Sequence, residues 1–190
     1  MSFLEKCLFF YGIITIIRGK EIKMKKIKNL TIISILFIFI FVLTGCQIRF
    51  FFEKEETFTN EGLSITLTNN FYEKEHIAFT SYYESNNMMV VVIKENYSIL
   101  SSVGITKDSS LENYLETVML ANKHDSSVKE EDDITYFDYV GSEGGKDFKY
   151  VATAVKGSEA FYLVQFCVVE DTYDDYKDDI FKYAKSLEAE

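Results

Sequence analysis

The chain has 190 residues, with 20 Lys+Arg against 30 Asp+Glu and a formal net charge of -10. Apolar residues make up 47% and aromatic ones 16%, with no Pro or Trp, which excludes wholesale disorder and a collagen-like repeat. Three cysteines, Cys7, Cys46 and Cys167, cannot build a disulfide framework, and an acidic chain without a basic stripe excludes nucleic acid as a partner.

The average charge hides a split. Residues 1–45 carry seven basic and two acidic side chains, a net of +5, and the remainder carries 13 basic and 28 acidic ones, a net of -15. From Met24, Lys25, Lys26 and Lys28 form a basic start, followed by an apolar run from Leu30 to Leu43 that Thr31 and Ser34 interrupt. The run is shorter than the roughly 20 residues a membrane span needs. Small residues follow at Thr44 and Gly45, so 24–45 reads as a secretory signal peptide. Residues 1–23 sit ahead of it as an extension, and the Arg18–Lys23 stretch can be encoded by purine-rich codons of a ribosome-binding site. Translation is therefore expected to start at Met24.

Leu43-Thr44-Gly45-Cys46 resembles the lipobox of bacterial lipoproteins. The resemblance implies cleavage of the Gly45–Cys46 bond and a diacylglyceryl thioether on Cys46, with or without a further N-acyl chain. It implies a membrane partner held through the lipid, on the extracytoplasmic face of a bacterial cell membrane. Residues 46–57 then serve as the lipidated cysteine and tether. Within them Phe50, Phe51 and Phe52 either dip into the headgroup layer or pack on the domain as a first strand.

From residue 58 to 190 a single domain is expected. Leu63, Ile65 and Leu67 alternate with Ser64 and Thr66, a half-buried strand. Ile77–Tyr83 alternates likewise, and Met88–Ile93 is apolar on both faces, as in a central strand. A helix follows the loop around Gly104, with Ser109 and Glu112 at capping-box spacing and Leu111, Tyr114, Leu115, Val118 and Met119 in one stripe. Strands over Ile134–Val140, Phe148–Val155 and Ala160–Val169 come next, the last two joined by a hairpin at Lys156–Glu159. A terminal helix is predicted from Tyr173 to Leu187, capped by Thr172. Consecutive hairpins with two helices give an α+β class: an antiparallel sheet of about six strands, covered by helices on both faces.

The stretch Phe58–Leu67, the ending Phe161-Tyr162-Leu163-Val164-Gln165-Phe166, and a last helix holding Phe181 and Ser186-Leu187 are similar to PsbP-like (DcrB-like) domains of bacterial lipoproteins. That resemblance implies an α/β/α sandwich with a binding or accessory role, no cofactor and no catalytic residue.

The residues point the same way. His76 and His124 lie in different segments, so nothing in the sequence joins them as metal ligands or an acid–base pair. Cys167 sits in an apolar strand without a basic neighbour, the opposite of what a reactive thiol needs. Gly141–Lys146 has the glycines of a phosphate loop but the wrong spacing, with strands on both sides, and reads as a turn. The acidic runs Glu130–Asp133 and Glu170–Asp179 lack EF-hand spacing, and carboxylates at a helix start are stabilised by its dipole. Tyr72, Tyr82, Tyr83, Tyr97, Tyr136, Tyr139 and Tyr150 suit half-buried strand positions or a contact surface. The expectation is a non-catalytic extracytoplasmic lipoprotein that meets a small ligand or an envelope protein. The alternatives are a small hydrolytic or metal-dependent enzyme using His76 and the acidic loops, or an envelope-assembly component acting through a protein partner.

Overall fold

The computed structural model describes residues 54–190; the expected extension, signal peptide, lipobox with Cys46, and Phe50–Phe52 lie outside the described residues. In chain order the elements are β1 (Glu55–Asn60), β2 (Leu63–Thr68), β3 (Tyr72–Glu73), β4 (Ser81–Glu84) and β5 (Met88–Asn96). Then come α1 (Tyr97–Leu100), which continues as a 3-10 turn over Ser101–Val103, and α2 (Leu111–Ala121). The strands β6 (Lys129–Glu131), β7 (Ile134–Glu143), β8 (Lys146–Lys156) and β9 (Ala160–Val169) follow. A second 3-10 turn at Glu170–Thr172 leads into α3 (Tyr173–Lys185), and β10 (Glu188–Ala189) closes the order. All pairings are antiparallel, in a seven-stranded sheet ordered β3-β4-β5-β9-β8-β7-β6 and a three-stranded sheet ordered β1-β2-β10. The class is α+β, as the sequence pattern predicts.

The period-two alternation of the long strands sends side chains to two separate cores. On one face Tyr162, Val164, Phe166 and Val168 of β9 join Val90 and Val92 of β5. These pack against Leu63, Ile65 and Leu67 of β2 and Ile180, Phe181, Tyr183 and Ala184 of α3. On the other face Phe161 and Leu163 join Phe137, Ala152 and Ala154 beneath Tyr114, Leu115 and Met119 of α2. Each fully buried large side chain contributes about 1.5–3 kcal/mol. Among the described residues both cores are assembled within Glu53–Glu190, one of the two compact units of the chain, which thus has a hydrophobic core of its own, as an independently folding domain requires.

Five local expectations are corrected. The strand placed over Ile77–Tyr83 begins only at Ser81, and Ile77 is fully exposed at 107%. The alternation there runs through a turn: the Phe79 N–H donates to the His76 carbonyl at 3.3 Å, and His76 stacks on Phe79. Met88–Ile93 is buried on one face and half-buried on the other. The cap of α2 is Ser110, whose Oγ accepts the Asn113 N–H at 3.1 Å; Ser109 instead accepts the Thr106 N–H at 3.0 Å. Thr172 precedes α3 but caps nothing, because its hydroxyl donates to the Val169 carbonyl at 2.9 Å. The strand β1 starts at Glu55, inside the stretch expected to be tether.

Candidate functional site

The helix side of the main sheet is only partly covered, and the uncovered part forms the candidate site. Two short-range devices set its walls. At the end of β5 the Tyr97 N–H donates to the Glu159 carbonyl at 3.0 Å, and the Tyr97 hydroxyl donates to the Gly157 carbonyl at 2.7 Å. Its ring meets Phe161 edge-on at 5.4 Å. These contacts fix α1 against β9. The 3-10 turn then stops at Gly104, whose φ of 82° lets the Ile105 N–H reach back to the Leu100 carbonyl. The second wall is α2, seated by Tyr114, whose ring stacks on Phe161 at 4.3 Å with an interplanar angle of 8°.

Between these walls, over β5 and β9, lies a groove of about 620 Å³, within the usual size of small-molecule sites. Ile93 and Leu163 form part of its floor, with Leu100, Val103 and Val118 on the sides. Ile99 and Val103, also on its lining, are 68% and 61% exposed, an apolar mouth open to solvent.

Ser102, Thr117 and Asn122 on the lining donate to backbone carbonyls of their own turns, while Glu95, Gln165 and His124 also reach this space. The Glu95 carboxylate accepts a hydrogen bond from the buried Tyr114 hydroxyl, whose proton is held far more tightly than in a free phenol by burial and then by the carboxylate. Gln165, half-buried on β9, makes no side-chain hydrogen bond among the described residues. His124 stacks on Tyr139 at 3.7 Å, and Tyr139 stacks on Tyr150 at 4.7 Å. Burial lowers the His124 pKa, which favours its neutral imidazole.

The other expected site residues are distributed elsewhere. His76 lines a separate hollow of about 760 Å³ with Lys74, Glu75, Ile77 and Phe79, a space bordered largely by the exposed side chains of one loop. Its Nδ1 accepts the Ala78 N–H at 3.3 Å, and the structure does not bring it to His124. Neither histidine accepts a hydrogen bond from a hydroxyl or thiol among the described residues. Cys167 is buried in β9, and burial pushes its thiol pKa up. Gly141–Lys146 is the β7–β8 hairpin, with Glu143 paired to Lys146 across Gly144-Gly145.

The acidic runs are largely occupied by lysines and a helix end. Glu131 pairs with Lys177 at 2.7 Å and Asp132 with Lys185 at 3.3 Å, while Asp174 and Asp175 lie in the first turn of α3. Among the described residues no group of three or more potential metal ligands converges. Of the tyrosines, Tyr83 and Tyr136 are core, Tyr82, Tyr97, Tyr139 and Tyr150 are half-buried, and Tyr72 is exposed. Sequence patterning missed Glu95, Gln165, Ile99 and Val103. The available signal was a carboxylate at the end of the apolar β5 and an amide inside the apolar β9.

No protein-family model matches the sequence, and no curated protein matches it at a significant level. Several solved structures are similar in fold. The solution structure of a cyanobacterial PsbP protein, CyanoP from Synechocystis sp. PCC 6803, is 14% identical over 73% of this chain and 92% of that one, with a TM-score of 0.43. A crystal structure from Bacteroides thetaiotaomicron VPI-5482 is 12% identical over 72% of this chain and 48% of that one, about half its length, with a TM-score of 0.46. The crystal structure of LpqN, involved in cell envelope biogenesis of Mycobacterium tuberculosis, is 11% identical over 74% of this chain and 93% of that one, with a TM-score of 0.39. At these scores the likeness is one of overall arrangement.

Proposed function

We propose that this chain is a lipid-anchored extracytoplasmic accessory protein that binds a small amphipathic ligand and catalyses nothing itself. The anchor rests on the sequence alone: a basic start, a short apolar run and Leu43-Thr44-Gly45-Cys46. The observation that carries the binding reading is the groove between α1 and α2, which combines an exposed apolar mouth at Ile99 and Val103 with inward polar groups at Glu95 and Gln165. Apolar walls with a few placed polar groups are what orient a bound small molecule.

The two halves are tested separately. Fatty-acid labelling of cells should mark the wild-type protein and fail in Cys46→Ala; equal labelling of both refutes the anchor. For the groove, a neutral fluorescent probe, N-phenyl-1-naphthylamine, is titrated into the Glu53–Glu190 fragment and into its Ile99→Asp/Val103→Asp variant. Both positions are mostly exposed, so stability should change by no more than about 0.5 kcal/mol per site. Replacing two apolar walls by carboxylates should weaken the probe at least tenfold, about 1.4 kcal/mol or more. Unchanged affinity would place the binding elsewhere.

A further inference from the structure

We infer that the ligand carries a cationic nitrogen, received by the Glu95 carboxylate at the floor of the groove; the inference rests on the groove being the binding site. The charge arrangement around Glu95 is the reason. It follows Val91 and Ile93 on the same face of β5, so an apolar side chain would continue the pattern. Its carboxylate lines the groove instead, with the Tyr114 hydroxyl as its hydrogen-bond donor and no ion pair to a basic side chain among the described residues.

The nearest lysines in sequence and register are committed elsewhere. Lys94 donates to the Glu61 carbonyl at 3.0 Å and lies over the Tyr162 ring, in the other core's territory. Lys156, in the same cross-strand row, lies over the Phe161 ring at 5.9 Å and donates to the Ser109 carbonyl at 3.1 Å, without an ion pair to Glu95. A carboxylate against apolar walls is costly unless a cation or several donors meet it. One hydroxyl leaves most of its acceptor capacity open. Burial disfavours the charged imidazole of His124, so it is a poor source of positive charge there.

The field of the whole domain has the same sign. Residues 54–190 hold 12 lysines, no arginine and 27 carboxylates, a net of -15. Such a domain draws in cations and repels anions over several ångströms. An ammonium at Glu95 leaves an attached hydrocarbon lying between Leu163 and Val118 and covering Val103 at the mouth. Gln165 stands two rows further along the same face, opposite Val91, so it meets the body of the ligand rather than the ammonium. The ligand class is therefore an amphipathic amine: a primary ammonium on a short apolar body.

Three probes of one chain length separate this inference from the groove reading: n-octylammonium, 1-octanol and octanoate. Each is titrated into the Glu53–Glu190 fragment, with amide chemical shifts followed by NMR. Octylammonium should bind about tenfold tighter than octanol, with octanoate weakest and with shifts at Glu95 and Gln165. Glu95→Gln, which retains an oxygen acceptor for Tyr114, should abolish the preference while octanol binding persists. Asp175→Asn, which removes a charge from α3 on the opposite face, should leave the preference intact. Equal affinity for octylammonium and octanol in the wild type overturns the cation inference and leaves the groove reading standing. So does an equal loss of preference in both variants, since a general field would then account for it. Binding of none of the three overturns both.

Discussion

The fastening of the small sheet to the large one lends itself to a double-mutant test at Gly62 and Tyr162. The β1–β2 turn has two central residues at positive φ, Glu61 at 47° and Gly62 at 88°, between the paired Asn60 and Leu63. A Cβ at Gly62 would stand 2.8 Å from the Tyr162 hydroxyl, which donates to the Glu61 carbonyl at 2.7 Å. Gly62→Ala therefore meets two separate penalties. Holding an alanine at that φ costs about 1 kcal/mol, and displacing a buried, hydrogen-bonded hydroxyl costs about another 1.5 kcal/mol. Tyr162→Phe alone loses one net hydrogen bond, about 1 kcal/mol. In the double variant the obstruction is already gone, so only the backbone cost and the lost bond remain, about 2 kcal/mol. The two substitutions should thus be less than additive by about 1.5 kcal/mol in urea denaturation of the Glu53–Glu190 fragment. Additivity within about 0.3 kcal/mol would refute the contact. The latch lies in the other core, so probe affinity in the groove should not change in any of the three variants.

Two further outcomes follow from titratable groups. Asp138 is partly buried, which opposes its ionisation, but the ammonium groups of Lys129 and Lys149 outweigh burial and hold its pKa below the usual aspartate value. A depressed pKa gives stability that is present above the unfolded-state value, about 3.9, and is lost as pH falls through the folded-state value. The stability gap between wild type and Asp138→Asn in urea melts should therefore be constant near neutrality and shrink below about pH 4; a gap that widens in acid would refute the pairing. Cys167 is the only thiol of the fragment, buried and with a raised pKa, so iodoacetamide at pH 8 should modify it only in denaturant. Rapid labelling of the folded fragment would show that β9 opens.

The parts of the fold that were legible are those whose burial is decided locally. Apart from Gln165, Phe161 to Val168 is apolar at both parities because both faces of β9 are covered, and that is visible without any structure. The α2 stripe is legible for the same reason: Tyr114, Leu115 and Met119 share one side of one helix. The edge strands β3, β6 and β10 have two or three residues each, and their pairing is set by whichever neighbour the tertiary structure brings alongside. Ile77–Tyr83 fails in the opposite sense: its alternation is real, but a backbone turn carries Ile77 into solvent. The groove was illegible because it is the space that β5, α1 and α2 do not fill, and no local period encodes a space. Glu95 fell just beyond the apolar run, and Ile99 and Val103 fell in what read as a loop.

Glu95 and Tyr114 finally separate a structural role from a functional one. If the pair were retained for stability, replacing both members with apolar residues would lower stability. A hydrogen bond contributes only about 1 kcal/mol net in a folded protein, since both partners are solvated when unfolded. Against this stand the partial desolvation of a carboxylate and the apolar area that leucine and phenylalanine would bury in the same place. Glu95→Leu/Tyr114→Phe keeps the Tyr114–Phe161 stack, because the ring is unchanged. Its stability should therefore equal or exceed the wild type, by up to about 1–2 kcal/mol. Tyr114→Phe alone should be destabilised by about 1–2 kcal/mol, because it strips the carboxylate of its donor. If the double variant is also the one that no longer prefers octylammonium to octanol, the pair is maintained at a cost to stability for the sake of the ligand. A double variant less stable than Tyr114→Phe alone would mean that the carboxylate holds the fold, and the groove would lose its argument for charge.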